Sequence, residues 1–270
     1  MSLLIVEIFS AENAVIKHIK QLSRRKYRDK HKEYMIEGVR ILCDALENRQ
    51  RIKYAVFCDA LYRAAGGENL LKQLAEQGVK VYHTTEKLYG EIAETESPQG
   101  IMAILPRIEM CLEQLPKKKN SFYVLLDRIQ DPGNLGTIIR TADSAGVDAI
   151  LLTKGCVDLY NPKTIRATMG SIFHLPIFML EDSQEGISFL KNNQIKILTT
   201  SLDAVSYHYE VDYRQDVVIV VGNEANGVSS TWMDAADALV KIPIPGKAES
   251  LNVSVAASIV LYEAVRQRMR

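Results

Sequence analysis

The sequence predicts an α/β protein of two domains, a small N-terminal α/β unit followed by a larger unit built on a mostly parallel sheet. Three observations carry this. Short β-branched or apolar runs alternate with helical patterns along the chain. The C-terminal runs, such as Val217 to Val221, are apolar with little alternation, as strands covered on both faces are. Between the two series, Pro106 and Pro116 bracket a stretch that ends in Lys117, Lys118 and Lys119. The expected division is therefore 1–106, a linker at 107–120, and 121–270. A chain of 270 residues with 47% hydrophobic content can bury two modest cores.

In order, Ser10 is placed to cap a helix through AVIKHIKQL, with Val15, Ile16, Ile19 and Leu22 on one face. The runs EYMIE, KYAVFCD, VKVYHT and GIMAIL then read as about four strands, separated by the helical patterns VRILCDAL, ENLLKQLAEQ and TEKLYGEIAE. Beyond the linker come SFYVLL, a helix from about Leu135 to Ala145, AILLT, and a helix near Thr164 to Met169. PIFML, a helix near Glu185 to Asn192, IKILTT and VVIVVG follow. A short helix after Ser229, LVKIP and a final helix from Val253 to Arg268 complete the series.

Composition narrows the function. No apolar stretch approaches a bilayer span, and Glu7 interrupts the apolar start, so neither a membrane segment nor a signal peptide is expected. Cys43, Cys58, Cys111 and Cys156 lack a C-x-x-C pair and read as buried small residues of a reducing compartment, which places the protein in the cytoplasm. The histidines lack ligand spacing, so no metal is expected. Net charge is zero, yet from Lys17 to Lys32 eight basic residues stand against Asp29 alone. Arg24, Arg25, Lys26 and Arg28, with Tyr27 among them, suit phosphate contacts and base stacking and are the candidate RNA-binding residues.

Three strand- or loop-to-helix junctions carry chemistry-bearing residues. In LLDRIQDPGNLGTIIRTADSAG, Asp131 or Asn134 can cap a helix; Arg140 reads either as a solvated charge or as a partly buried guanidinium needing an anionic partner. VVIVVGNEANGVSS has P-loop-like spacing between Gly222 and Gly227, but Val228 stands where the lysine belongs, which argues against a nucleotide triphosphatase. Its bare backbone could approach a flat ligand, and Glu224 could receive a cation or hydroxyl, or be an exposed loop charge. In KIPIPGKAESLNVSVAASIVLYEA, Ser250 or Asn252 can cap the final helix. No G-x-G-x-x-G occurs, which removes the sequence argument for a dinucleotide-binding domain.

Together these segments resemble the three ordered motifs of the SpoU (TrmH) class of RNA 2′-O-ribose methyltransferases of the knotted SPOUT superfamily. N-x-x-x-x-x-R, G-N-E-x-x-G and S-L-N-V-S occur in order across about 150 residues, with no departure at the motif positions. The N-terminal EYMIEGVRILCDAL and TESPQGIMAIL look like the family's ribosomal-protein-like substrate-binding domain. The resemblance implies a C-terminal trefoil knot, a homodimer formed through that domain, and methyl transfer from S-adenosylmethionine to a ribose 2′-hydroxyl in structured RNA, ribosomal rather than transfer RNA. It assigns Asn134, Arg140, Glu224, Ser250 and Asn252 to catalysis and substrate positioning. Thr199, Ser201, Gly222, Asn223, Gly227, Ile242, Leu251 and Ser254 fall to the S-adenosylmethionine pocket, with Gly222, Ile242 and Leu251 acting largely through backbone groups.

A neutral hydroxyl is a weak nucleophile, so the site must position it and help it lose its proton. The resemblance makes Arg140 the activator. A guanidinium stays protonated near neutrality, so the chemistry favours a fixed positive charge, with Glu224, phosphate or water as alternative proton acceptors. A non-catalytic RNA-binding protein and a nucleotide-dependent oxidoreductase are the alternative functions.

Overall fold

The computed structural model describes residues 5–269. The chain forms two compact units, one from residues up to 108 plus 160–166, the other from 109–159 and from 167 onward.

The first unit contains β1 (Ile5–Ile8), α1 (Ala14–Leu22), α2 (Arg25–His31), β2 (Glu33–Glu37), α3 (Val39–Glu47) and β3 (Tyr54–Phe57). α4 (Ala60–Arg63), α5 (Gly67–Glu76), β4 (Lys80–Thr84), α6 (Glu86–Gly90) and β5 (Ile101–Pro106) follow. Its five strands run in the order β1-β4-β3-β5-β2; β1, β4 and β3 are parallel, and β5 is antiparallel to both neighbours. The four expected strands are present. β1 is additional, a four-residue edge strand too short to show a period.

α1 buries Ile16, Ile19 and Leu22 against Met35, Val56, Met102 and Ile104. Its cap is Asn13 rather than Ser10, because the cap is the residue immediately before the first helical one, Ala14. Asn13 Oδ1 accepts the Val15 N–H at 2.9 Å, while Ser10 Oγ accepts Glu12 N–H in the preceding turn. The basic run continues into α2, and there Arg28 departs from the expected RNA-binding set. It is only 3% exposed, and its guanidinium donates to the carbonyls of Leu22 and Ser23, both at 2.7 Å. A cation on the last carbonyls of α1 satisfies groups that a helix end leaves unpaired, so Arg28 is a fold residue. Arg24, Arg25 and Lys26 are exposed.

The second series comprises β6 (Phe122–Leu126), α7 (Pro132–Ser144), β7 (Ala149–Thr153), α8 (Pro162–Thr168), β8 (Ile177–Leu180) and α9 (Ser183–Asn192). β9 (Lys196–Thr200), β10 (Ser206–Tyr207), β11 (Val217–Val221), α10 (Ser230–Ala235), β12 (Ala238–Lys241) and α11 (Val253–Arg268) complete it. The seven strands lie in the order β10-β12-β9-β11-β6-β7-β8, every pair parallel. β6, β7 and β11 are buried at every position, as their unalternating sequences require. Tyr123, Leu125, Val218 and Val220 share one core with Ile187, Leu190 and Trp232 of α9 and α10. α11 packs on α7. Its end is fixed by Arg268, whose Nη2 donates to the carbonyls of Gln215 at 2.7 Å and Ser121 at 3.2 Å, over the Phe122 ring.

Two segments group differently from the expected 106 and 121 boundaries. Met110, Leu112 and Leu115 pack on the core of the second unit, so residues 109–120 belong to that unit. Most of α8 groups with the first unit, where the Tyr160 ring lies 4.5 Å from that of Tyr34 and under the Arg107 guanidinium. Cys58 and Cys156 are buried as expected; Cys111 is exposed. Among the described residues, no helix is long and apolar enough to cross a membrane, and no group of His, Cys, Asp or Glu could hold a metal ion.

Candidate active site

Ligands of open parallel sheets bind beyond the carboxyl ends of the strands. At that edge of β9, β11 and β12 lies a cleft of about 530 Å³, within the span usual for small-molecule sites. Three loops form it: 200–203, 221–228, and 240–256. Val221, Val228, Met233, Val240, Leu251 and Val253 supply apolar wall, with the side chains of Asp203, Lys241 and Glu249 at the polar parts. Such a mixture suits a flat heteroaromatic ligand bearing a charged tail.

Of the expected cofactor residues, Ser201, Gly222, Asn223, Gly227, Ile242 and Leu251 line this cleft. Thr199 and Ser254 stand behind it. Thr199 is fully buried, its hydroxyl donating to the Trp232 carbonyl, because its β9 position points into the sheet-helix core. Ser254 Oγ donates to Asn252 Oδ1 at 2.6 Å within the α11 cap.

The 222–227 loop has a different logic from a bare backbone awaiting a ligand. A Cβ on Gly222 would lie 2.2 Å from Gly227 C and Val228 N, so glycine is required by the loop's own return path. Asn223 closes that return. Its backbone exchanges both hydrogen bonds with Gly227, its Oδ1 accepts from Ala225 and Asn226 N–H, and its Nδ2 donates to the Arg128 carbonyl at 2.8 Å.

Beside the cleft, Glu224, Asn134 and Asn252 form a hydrogen-bonded row. Glu224 Oε2 accepts the Gln130 N–H at 3.0 Å, and Oε1 accepts Asp131 N–H at 3.0 Å and Asn134 Nδ2–H at 3.1 Å. Asn134 Oδ1 in turn accepts from Asn252 Nδ2 at 3.0 Å. Asp131 is the cap of α7, accepting the Asn134 N–H at 2.8 Å, and Pro132 takes the first helical position. Asn252 caps α11, accepting from Ser254 and Val255 N–H. Both caps named as alternatives by the sequence thus resolve to one residue each. Ser250 lines the cleft and caps nothing.

Partial burial pushes the Glu224 carboxyl up, but the N–H groups of Asp131 and Gln130 outweigh it and hold the carboxyl below the ordinary range. Arg140, two turns along α7, is exposed, with no hydrogen bond or ion pair to its guanidinium among the described residues. Of its two sequence readings, the solvated charge is the one observed.

Sequence reasoning passed over Asp127. It is 2% exposed, accepts the Thr153 hydroxyl at 3.0 Å and the Ser229 N–H at 2.7 Å, and so ties the ends of β6 and β7 to the start of α10. A carboxylate directly after the fully apolar FYVLL was the available signal.

Comparison with known proteins agrees with this architecture. Residues 121–262 match the SpoU rRNA Methylase family, and residues 13–103 the MRM3-like substrate binding domain. The 23S rRNA (guanosine(2553)-2′-O)-methyltransferase RlmP of Bacillus subtilis is 35% identical over 256 residues, 95% of this chain and 98% of the relative. The 23S rRNA (uridine(2479)-2′-O)-methyltransferase of Streptomyces viridochromogenes is 28% identical, covering 92% and 88%. The AdoMet-bound rRNA methyltransferase from Sinorhizobium meliloti superposes with a TM-score of 0.88 at 33% identity, over 97% of this chain and 98% of that one. By these matches, the chain belongs to the SpoU rRNA methylase family.

Proposed function

We propose that the chain transfers a methyl group from S-adenosylmethionine to a ribose 2′-hydroxyl of ribosomal RNA of the 23S type. The carrying observation is the row Glu224–Asn134–Asn252, which sets the ends of two helices beside a cleft of cofactor size. The relatives named for the same reaction on 23S rRNA, and the AdoMet-bound structural neighbour, support the substrate and the cofactor. When bound, S-adenosylmethionine supplies a methyl group on a sulfonium, open to in-line displacement by the ribose oxygen.

The cleft residues bind and shield. Gly222 and Gly227 keep the loop closed, and Leu251 and Ile242 offer apolar surface and backbone groups. Asn134 is held at both ends of its amide, by Glu224 and Asn252, so it acts as a fixed polar contact for the target nucleotide. Ser250, on the cleft wall, adds a hydroxyl. Arg140 keeps its charge and its full donor set for the developing alkoxide or the adjacent phosphate. Glu224 is a poor proton acceptor, because its oxygens are engaged and its proton affinity is depressed. The proton passes instead to phosphate or water.

The first unit serves as the RNA-recognition domain and the second as the catalytic domain, with Arg24, Arg25 and Lys26 among the phosphate contacts. The trefoil knot of the superfamily, a cytoplasmic location and a homodimer belong to the same reading. For the dimer, α11 offers Val255 and Tyr262 as exposed apolar residues seven apart, with Met269 exposed at its C-cap. The test is methyl transfer to an unmodified 23S rRNA transcript with 2′-O-methyl mapping, alongside calorimetry with S-adenosylmethionine and light scattering at micromolar protein. A chain that binds no S-adenosylmethionine refutes the enzyme; a monomeric mass refutes the dimer.

A further inference from the structure

We infer that Arg128 is a second RNA-gripping cation of the catalytic unit, holding a phosphate near the target ribose. This rests on the RNA methyltransferase reading and names a residue outside its motif set. Arg128 directly follows Asp127 at the carboxyl end of β6, the edge on which the cleft and the Asn134 row lie.

Its backbone is the first observation. Arg128 sits at φ +58°, in the left-handed region where a side chain other than glycine, asparagine or aspartate is disfavoured. The surrounding structure enforces this. Arg128 N–H donates to Thr153 Oγ1 at 3.1 Å, and its carbonyl accepts from Asn223 Nδ2 at 2.8 Å. A site that needs only the turn is served better by glycine or asparagine. Lys32, Arg49, Asn120, Met169 and Gln194 share this region, so the backbone fixes where Arg128 stands and the side chain must carry the assignment.

The side chain is the second observation. Its stem lies against Gly155, whose Cβ would come within 3.3 Å of Arg128 Cγ, so the glycine leaves a slot for it. Nε approaches Asp127 Oδ2 at 3.5 Å but forms no hydrogen bond there. Both Asp127 oxygens are already taken, by Thr153 and Ser229. The terminal nitrogens make no hydrogen bond among the described residues, and the side chain is 40% exposed. Arg63, Arg214 and Arg266, by contrast, spend their terminal nitrogens on carboxylates. A planar fork with free donors, fixed at its base and open at its tip, fits a phosphate. The partner is anionic RNA backbone, the match for a charged planar fork.

The carbonyl of Arg128 also explains the placement. Through Asn223 it joins the 222–227 loop, and two residues on, Gln130 joins Glu224 and so Asn134. A phosphate held at Arg128 is therefore indexed to the same rigid set that positions the nucleotide.

The test uses the full chain, a 23S rRNA transcript and S-adenosylmethionine. Arg128→Asn removes the cation while keeping a residue that tolerates the left-handed turn. We expect it to fold, to bind S-adenosylmethionine as the wild type does, and to raise KM for the transcript about tenfold at nearly unchanged kcat. The slope of log affinity against log salt should fall by about 0.7–0.9, one phosphate contact. Arg128→Lys should restore the slope but only part of the KM. An Asn variant with wild-type KM and salt slope overturns the assignment and leaves the methyltransferase reading intact. A wild-type chain that binds S-adenosylmethionine yet neither binds nor methylates the transcript overturns both.

Discussion

Replacing Glu224 separates positioning from proton transfer. The carboxylate accepts two backbone N–H groups and the Asn134 amide. In Glu224→Gln the amide oxygen can keep Asp131 and Asn134, leaving the new NH₂ facing the Gln130 N–H. One hydrogen bond is lost and two donors are opposed, which costs about 1–2 kcal/mol at a site this exposed. At roughly 2–4 °C per kcal/mol for a unit of this size, the expected drop in Tm is about 2–8 °C. Glu224→Ala loses all three bonds and leaves the Asn134 amide held only by Asn252, so methyl transfer should fall about 100-fold. Gln should stay within about tenfold of wild type. The assays are thermal unfolding and single-turnover methylation of a 23S rRNA transcript. A Gln variant with normal Tm but the same loss of rate as Ala would refute the positioning role and make Glu224 the proton acceptor. The pH dependence has a definite sign. The folded carboxyl titrates below its unfolded value, so its stabilisation is present above about pH 4.3 and is lost as pH falls through the folded value. The Tm gap between wild type and Ala should be flat from pH 6 to 9 and close in acid.

Arg140→Ala should abolish methyl transfer with cofactor affinity little changed, and Arg140→Lys should also be poor because the planar fork is lost; near-normal single-turnover rates in either would remove Arg140 from the chemistry. Gly222→Ala drives a Cβ into the Gly227–Val228 backbone, so calorimetry should show at least a tenfold loss of S-adenosylmethionine affinity, and unchanged binding would show that the loop need not stay closed. Neutralising Arg24, Arg25 and Lys26 together should flatten the salt dependence of RNA binding while sparing the cofactor. Arg28→Ala should instead lower Tm by several degrees with the salt slope unchanged, because its guanidinium is spent on Leu22 and Ser23; a changed slope at constant Tm would return it to the RNA-binding surface.

The fold was largely legible because its strongest signals are local. FYVLL, AILLT and VVIVV read as strands covered on both faces, and the α11 start at Val253 follows from Ser250 or Asn252 as cap, of which Asn252 is the one observed. What escaped depends on distant partners. β1 exists because it pairs with β4, and β10 because two residues meet β12. The grouping of Tyr160 with the first unit rests on rings more than a hundred residues apart in sequence.

The candidate site shows the same limit at the level of single side chains. Residue type at motif spacing located Asn134, Glu224 and Asn252, yet it could not say which of them acts and which supports. That distinction lies in what each atom already does. Glu224 is a carboxylate in a cleft wall, a natural candidate for a base until its oxygens are seen to hold Gln130, Asp131 and Asn134. Charge counting met the same obstacle from the other side. Arg24, Arg25, Lys26 and Arg28 contribute equally to a local excess, but a helical turn places Arg28 alone over the carbonyl end of α1, where its charge is consumed. Conversely Arg128, one cation in a chain of zero net charge, carries no sequence signal, and only its left-handed backbone and unspent donors mark it out. The distinction turns on which polar atoms the fold leaves unused: among the described residues the Glu224 oxygens are spent while the terminal nitrogens of Arg140 and Arg128 are not, so RNA methylation is expected to depend on the two arginines.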